Sequence, residues 1–374
     1  MVTRESFVDT LHGVKDVNEH YAFIESCAKR GDFGTLRDLF ARTREHCSFG
    51  PSDWAPRAVC ERIVEALVLT DGGDNAMTAL ELTRTVNDQG KSPRLRLAAV
   101  ISKLVAGQSS EVIDRLLDDE FDLESKALIL HEAVVRGKLT PDSLAAQQTA
   151  RLLASHGHPL SALPLRLLDI ESELLLPNYG IGSSGTGIPF GPFRNSETSD
   201  FASIGDEKIT ETTEQGRAMR ICAVVKNWLD ESNGQIEART FSVRDTKLLI
   251  EIPPLLAKLG LESFGPSDKG MIDGENSVTN VFTVLFSAAS TGGAYNYGEF
   301  AAYGRLSAWR SLSGLVGCDE NSTIDEIAHR AAACNWCLFT SSSEWYYQVA
   351  WDIGIACASV ATNELAILAA TDTD

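Results

Sequence analysis

The sequence lacks any uninterrupted apolar run of about eighteen residues, the length a membrane-crossing helix needs. It also lacks a leader-like opening: residues 1–19 carry charges throughout and no apolar core, so no secretory signal is expected and the expected compartment is the cytoplasm. Basic charge is scarce. Lys and Arg number 33 against 52 Asp and Glu, a net charge of −19, which repels phosphate backbones and anionic lipid surfaces. Nucleic acid and membrane are therefore not expected partners.

Several catalytic signatures are missing as well. There is no G-x-S-x-G elbow, no H-E-x-x-H and no Walker sequence, so hydrolase, zinc protease and nucleotidase chemistry find no support. "GIGSSGTG" (Gly180 to Gly187) contains a loose G-x-G-x-x-G, but no strand precedes it and no βαβ unit surrounds it, as a dinucleotide site requires. The eight cysteines are scattered and read as buried thiols of a reducing compartment. Cys334 and Cys337 in "CNWC" have metal or redox spacing. Cys318 and Cys357 do not supply the second pair a structural zinc site needs, and a thioredoxin-like βαβ context is missing. His156 and His158 in "SHGHP" suit a helix end and turn better than a metal site.

What the chain has is helical periodicity and enough length, 374 residues at 44% hydrophobic, for one large helical domain or two ordinary ones. Between Glu5 and Glu173, segments such as "APRAVCERIVEALVL", "RLRLAAVISKLVAG" and "ALPLRLLDIESELL" repeat apolar residues at three- and four-residue spacing. Breakers such as "DGGD", "QGKSPR" and "TPDS" separate them. The expected fold is mainly α, an antiparallel helical bundle or stacked helix pairs, with a minor β element in the second half. No fixed-period repeat supports the stacked alternative. The expected division is a helical region over 1–176, a Gly/Ser/Pro-rich loop or lid over 177–207, and an aromatic-rich, mainly helical region over 208–374. In the last, "IEARTFSV" reads as a strand, while "IDEIAHRAAACNWCLF" and "WYYQVAWDIGIACASVA" read as helical.

The segment "VIDRLLDDEFDLESKALIL" places Asp118, Asp119 and Asp122 inside a helical pattern. On one helix, Asp118 and Asp122 share a face with Asp119 beside them, and parallel carboxylates can bridge magnesium. Glu111, Asp114, Glu120 and Glu124 crowd the same stretch, so a solvated acidic face fits too. The form D-D-x-x-D is similar to the first metal motif of class I terpene cyclases, and that resemblance implies a Mg2+ cofactor on these aspartates and a prenyl diphosphate substrate. The second motif of that family, N-x-x-x-S/T-x-x-x-E, is not matched. Asn276 and Asn280 are followed by Val284, and Asn227, Glu231 and Gln235 hold the spacing with other residue types.

The blocks "GGAYNYGEFAAYGRLSAWRSL" and "WYYQVAWDIGIACASVATNELAILAATDTD" resemble the signature blocks of an uncharacterised family from actinobacteria and fungi, catalogued as a domain of unknown function. The chain also resembles fungal humulene-forming cyclases that lack similarity to standard terpene cyclases. That resemblance implies a sesquiterpene cyclase acting on farnesyl diphosphate. Arg305 and Arg310, with Tyr303, would then act at the diphosphate, since a guanidinium binds phosphate oxygens in pairs. Arg217 and Arg220 form a second candidate clamp. Tyr295, Asn296, Glu299, Trp309, Trp345 and Trp351 would line a pocket suited to a cationic intermediate. An ordinary core with internal ion pairs accounts for the same residues. The competing reading is a non-enzymatic scaffold: helix pairs in front, aromatic blocks as a docking surface, and acidic residues left in water.

Overall fold

The computed structural model describes residues 2–47, 53–85, 96–139, 142–190, 209–265, 268 and 270–373. The latter part of the Gly/Ser/Pro-rich segment, 191–207, and the breakers within 48–52, 86–95 and 140–141 lie outside the described residues. The protein is mainly α-helical with an antiparallel sheet in its second half. It divides into two compact units, 1–161 with 177–186, and 162–176 with 187–374. Among the described residues no helix is long and apolar enough to cross a membrane.

The first unit contains α1 (Asn18–Lys29), α2 (Phe33–His46), α3 (Trp54–Leu69), α4 (Gly73–Thr85), α5 (Leu97–Gly107), α6 (Ser110–Asp118), α7 (Leu123–Val135) and α8 (Leu144–Ser155). Their starts are written locally: Asp32 accepts from the Thr35 N–H at 3.2 Å, Asp122 from Ser125 at 2.8 Å and Ser143 from Ala146 at 3.3 Å. Each side-chain oxygen satisfies a backbone donor that the first helical turn leaves open. Helix α6 buries Val112, Ile113, Leu116 and Leu117, one apolar stripe of an otherwise charged helix. Helix α3 packs on α1 and α5, and α5 on α7; helix α4 touches α2 and α6, and α6 touches α8.

Segment 177–186 closes this unit. Asn178–Gly180 (β1) and Ser183–Gly185 (β2) form a small hairpin, so the glycine-rich stretch begins as a turn rather than a loose linker. Gly182, at φ +79°, takes a left-handed conformation that suits glycine.

The second unit is built on a six-stranded antiparallel sheet in the order β3-β4-β8-β7-β6-β5. The strands are β3 (Ile209–Glu211), β4 (Gln235–Val243), β5 (Gly270–Glu275), β6 (Asn335–Ser341), β7 (Asp352–Ser359) and β8 (Glu364–Thr371). The helices are α9 (Gln215–Ile221), α10 (Lys226–Glu231), α11 (Pro253–Leu256), α12 (Val278–Thr291), α13 (Phe300–Leu315) and α14 (Ile324–Ala332).

Side chains alternate across a strand. Phe241, Cys337, Phe339, Ala356, Ala358, Ile367 and Ala369 therefore pack on one face, against Leu249, Leu255, Leu256 and Phe264. Trp336, Leu338, Ile355, Cys357 and Leu368, on the other face, are buried as well. Helices α12 and α13 form a tight pair in which a Cβ on Gly304 would fall 2.9 Å from the Ser290 Cα.

Strand β4 lies where "IEARTFSV" is expected. The expected helices at "CNWCLF" and "WDIGIACASVA" are instead strands β6 and β7. Both faces of these strands are buried, so the alternation of polar and apolar residues that marks a half-exposed strand is absent.

Candidate functional site

The register Gln235↔Thr371↔Asp352 brings the start of β4, the end of β8 and the start of β7 to one end of the sheet. Two aromatic-bearing loops are tied to it. In the α12–α13 loop the Ala294 N–H donates to Asp372 Oδ2 at 2.7 Å. Asn296 Oδ1 accepts from the Gly293 N–H at 2.8 Å, and Asn296 Nδ2 donates to the Asn227 carbonyl at 3.0 Å. In the β6–β7 loop the Tyr347 N–H donates to Thr371 Oγ1 at 3.3 Å, and the Tyr347 hydroxyl accepts from Gln235 Nε2 at 2.7 Å.

The base of this end is a buried polar group. Thr371 donates to Asp352 at 2.6 Å, and Asp352, Thr371 and Asp372 are all buried. Burial raises the Asp352 pKa above the ordinary carboxylate value, against the hydrogen bonds from Thr371 and nearby backbone. Two non-glycine residues here lie in the left-handed region, Phe300 at the first position of α13 and Gln348 in the β6–β7 loop, both at φ +59°. Such conformations are costly and persist where the surroundings enforce them. The loops nonetheless leave Tyr295, Tyr297 and Tyr347 exposed, and Leu229 of α10 is exposed too.

The residues expected to form a cyclase site are placed differently. Asp118 ends α6, Asp119 is extended and accepts from the Glu120 N–H at 2.7 Å, and Asp122 caps α7. The expected shared helical face is therefore corrected to a turn between two helices. All three are exposed. Asp122 accepts from Ser125 Oγ at 2.7 Å and pairs with Arg84 at 2.6 Å. Partial burial acts to raise its pKa, but the bonds from Ser125 and Arg84 outweigh it and hold it below the ordinary value. Among the described residues no group of three or more His, Cys, Asp or Glu side chains is placed to hold a metal ion. Asp122 is committed to its cap and to Arg84, and the three carboxylates do not share one helix.

In the second unit, Arg305 is wholly buried. It meets Glu171 with Nε at 2.6 Å and a terminal nitrogen at 2.9 Å, and donates to the carbonyls of Pro164 and Arg166 at 2.9 and 2.8 Å. The expectation that it clamps a diphosphate is corrected, because its donors are spent inside the protein. Trp309 donates to the same Glu171 at 3.0 Å and packs against Phe282 with its ring tilted, so it is core and not pocket wall. Arg310 is exposed and Tyr303 half-buried on the same helix.

Arg217 binds Glu364 at 3.1 Å and the Gly314 carbonyl at 2.9 Å; Arg220 binds Glu320 at 3.1 Å. Trp345 packs against the core under the sheet, Trp351 is half-buried, and Asn296 pins its own loop. Glu299 accepts from Ser307 Oγ at 2.5 Å, and burial raises its pKa. The expected pocket residues thus split between core and surface. His158 binds Glu124 at 3.0 Å while His156 ends α8, as the sequence suggests.

Asp352 and Asp372 were not distinguishable in the sequence, since their role depends on strand register. A groove of about 460 Å³ lies elsewhere in the second unit, lined by Ile250, Ile252, Pro253, Asn276, Cys334 and Trp336 among others. No curated protein and no solved structure matches the chain. A family of unknown function, DUF6183, matches residues 18–374, and the chain belongs to that family.

Proposed function

We propose that the chain is a non-enzymatic interaction protein whose docking surface is the tyrosine-bearing end of the sheet. The observation that carries this reading is the pair of loops around Tyr295, Tyr297 and Tyr347: exposed at their tips and fixed at their bases to Asp372 and Thr371, with left-handed residues at Phe300, where the first enters α13, and at Gln348 in the second. Tyrosine gives a large contact area at little entropic cost, and a loop already fixed loses little more on binding. The first unit would serve as a scaffold of stacked helix pairs, with α1, α3, α5 and α7 in one layer and α2, α4, α6 and α8 in the other.

The magnesium-dependent cyclase reading rests on the sequence resemblance alone, and the aspartates and Arg305 are engaged in ways that suit structure.

The test compares partners enriched on the whole chain with those enriched on a Tyr295→Ser, Tyr297→Ser, Tyr347→Ser variant, with melting temperature as the control for folding. Loss of a specific partner's affinity by at least about tenfold, at an unchanged melting temperature, is expected. Equal enrichment by both proteins would refute the surface. A magnesium-dependent hydrocarbon from farnesyl diphosphate, seen by gas chromatography–mass spectrometry, would refute the non-enzymatic reading.

A further inference from the structure

The "CNWC" spacing suggests that Cys334 and Cys337 belong together, but an odd separation along a strand sends them to opposite faces. Cys337 enters the core with Phe339 and Ala356. Cys334 sits just before β6, and the register Asn335↔Ala358, Trp336↔Cys357 places it opposite Ser359, diagonal to Cys357 and on the same face. Cys357 and Cys334 are near enough for each thiol to perturb the other's pKa.

The two thiols differ in every respect that governs reactivity. Cys357 is buried at 1% exposure and pushed well above the ordinary thiol range, by burial first. Cys334 is half-buried and lines the groove beside Ile250 and Trp336. Its pKa is lowered, first by the neighbouring Cys357 thiol and then, against burial, by Arg330 and the Ser359 hydroxyl. When protonated it donates to the Arg330 carbonyl at 3.4 Å. Arg217, paired with Glu364, stands near Cys357, so Arg330, Arg217 and Glu364 are the charges that surround the pair.

We infer that Cys334 and Cys357 form a peroxide-reactive dithiol, with Cys334 the thiol attacked by oxidant and Cys357 the resolving thiol. The oxidant class is a hydroperoxide. The Cys334 thiolate attacks the outer peroxide oxygen; an S–O bond forms, the O–O bond breaks and the leaving oxygen departs as hydroxide from hydrogen peroxide or as alkoxide from an organic hydroperoxide, protonated to water or the alcohol. Cys357 then attacks the Cys334 sulfenic sulfur; the S–S bond forms, the S–O bond breaks, and the Cys357 proton leaves with the hydroxyl as water.

Two electrons pass from the thiols to one peroxide. The disulfide needs its sulfurs in contact and its backbones near, and Cys334 can adjust because it lies outside the ladder, its backbone N–H donating to Ala331 at 3.3 Å. The new bond would tie the turn after α14 to β7.

The experiment treats the reduced whole chain with stoichiometric hydrogen peroxide, blocks remaining thiols with an alkylating agent and maps peptides by mass spectrometry. A Cys334–Cys357 linked peptide is expected, formed before Cys47 and Cys222 are consumed and reversed by dithiothreitol. With Cys357→Ser, dimedone should trap a sulfenic acid at Cys334. With the less buried Cys334→Ser, Cys357 should stay unoxidised. A Cys334–Cys337 link, or oxidation of Cys334 no faster than of Cys47 and Cys222, would overturn the assignment.

Discussion

Glu171 and Arg305 form an ion pair with both side chains completely shielded from water, and Trp309 adds its indole N–H to the same carboxylate. A buried charge without its partner is costly, because the lost solvation is no longer offset. Glu171→Ala is expected to lower the stability of the second unit by about 3–5 kcal/mol. Replacing both members with apolar residues of similar size, Glu171→Leu with Arg305→Met, should recover most of that loss. Urea unfolding followed by tryptophan fluorescence measures both. A stable, folded Glu171→Ala protein would mean that Arg305 is free to serve another purpose.

The three aspartates should behave as unlike residues. Asp122 is a helix cap, so Asp122→Ala is expected to cost about 1 kcal/mol, whereas Asp118→Ala should fall within about 0.5 kcal/mol of no change. Because the Asp122 pKa is depressed in the folded protein, its contribution is present above the ordinary value and is lost as pH falls through the depressed one. Adding magnesium should leave the melting temperature of the whole chain unchanged. A magnesium-dependent rise that disappears in Asp118→Ala would restore the metal reading.

These placements also explain what the sequence made legible. The helices of the first unit follow from one-sided apolar stripes and local caps, as with Val112, Ile113, Leu116 and Leu117 on α6. The D-D-x-x-D spacing was ambiguous because Asp122 as a cap and Asp122 as a ligand look alike until the helix boundary at Asp118 is known. Strands β7 and β8 were hidden by their own burial: "DIGIACAS" and "ELAILAAT" are apolar on both faces and rich in alanine, a good helix former. The Cys334–Cys357 pair and the Asp372 tie to Ala294 depend on strand register and on a separation of 78 residues for the latter. No local pattern carries such information.

Gln108 holds two loops of the first unit together. Its amide nitrogen donates to the carbonyls of Val68 and Thr70 at 2.7 and 3.0 Å, and its oxygen accepts from the Gly72 N–H at 2.8 Å. At 1% exposure the bonds are sheltered, and removing the side chain strands buried backbone groups. Gln108→Ala should cost about 1–3 kcal/mol and speed hydrogen exchange at Gly72 first. Unchanged exchange there would mean that water replaces the amide at no cost.

Glu299 offers a pH-dependent test of the second unit. Burial raises its pKa above the ordinary glutamate value even though Ser307 donates to it, so the folded state binds its proton more tightly than the unfolded chain. The stabilising contribution is complete below the unfolded value and is lost as pH rises through the raised folded value. Above the raised value the ionised carboxylate is therefore a burden. Glu299→Gln keeps an oxygen to accept from Ser307 but removes the charge. The variant should melt higher than the wild type at pH 7 and no higher at pH values below about 4, where Glu299 is protonated in both states. Thermal unfolding across that range measures the crossover; a variant that melts lower at pH 7 would mean that attraction to Arg310 and Lys226 outweighs the cost of burial.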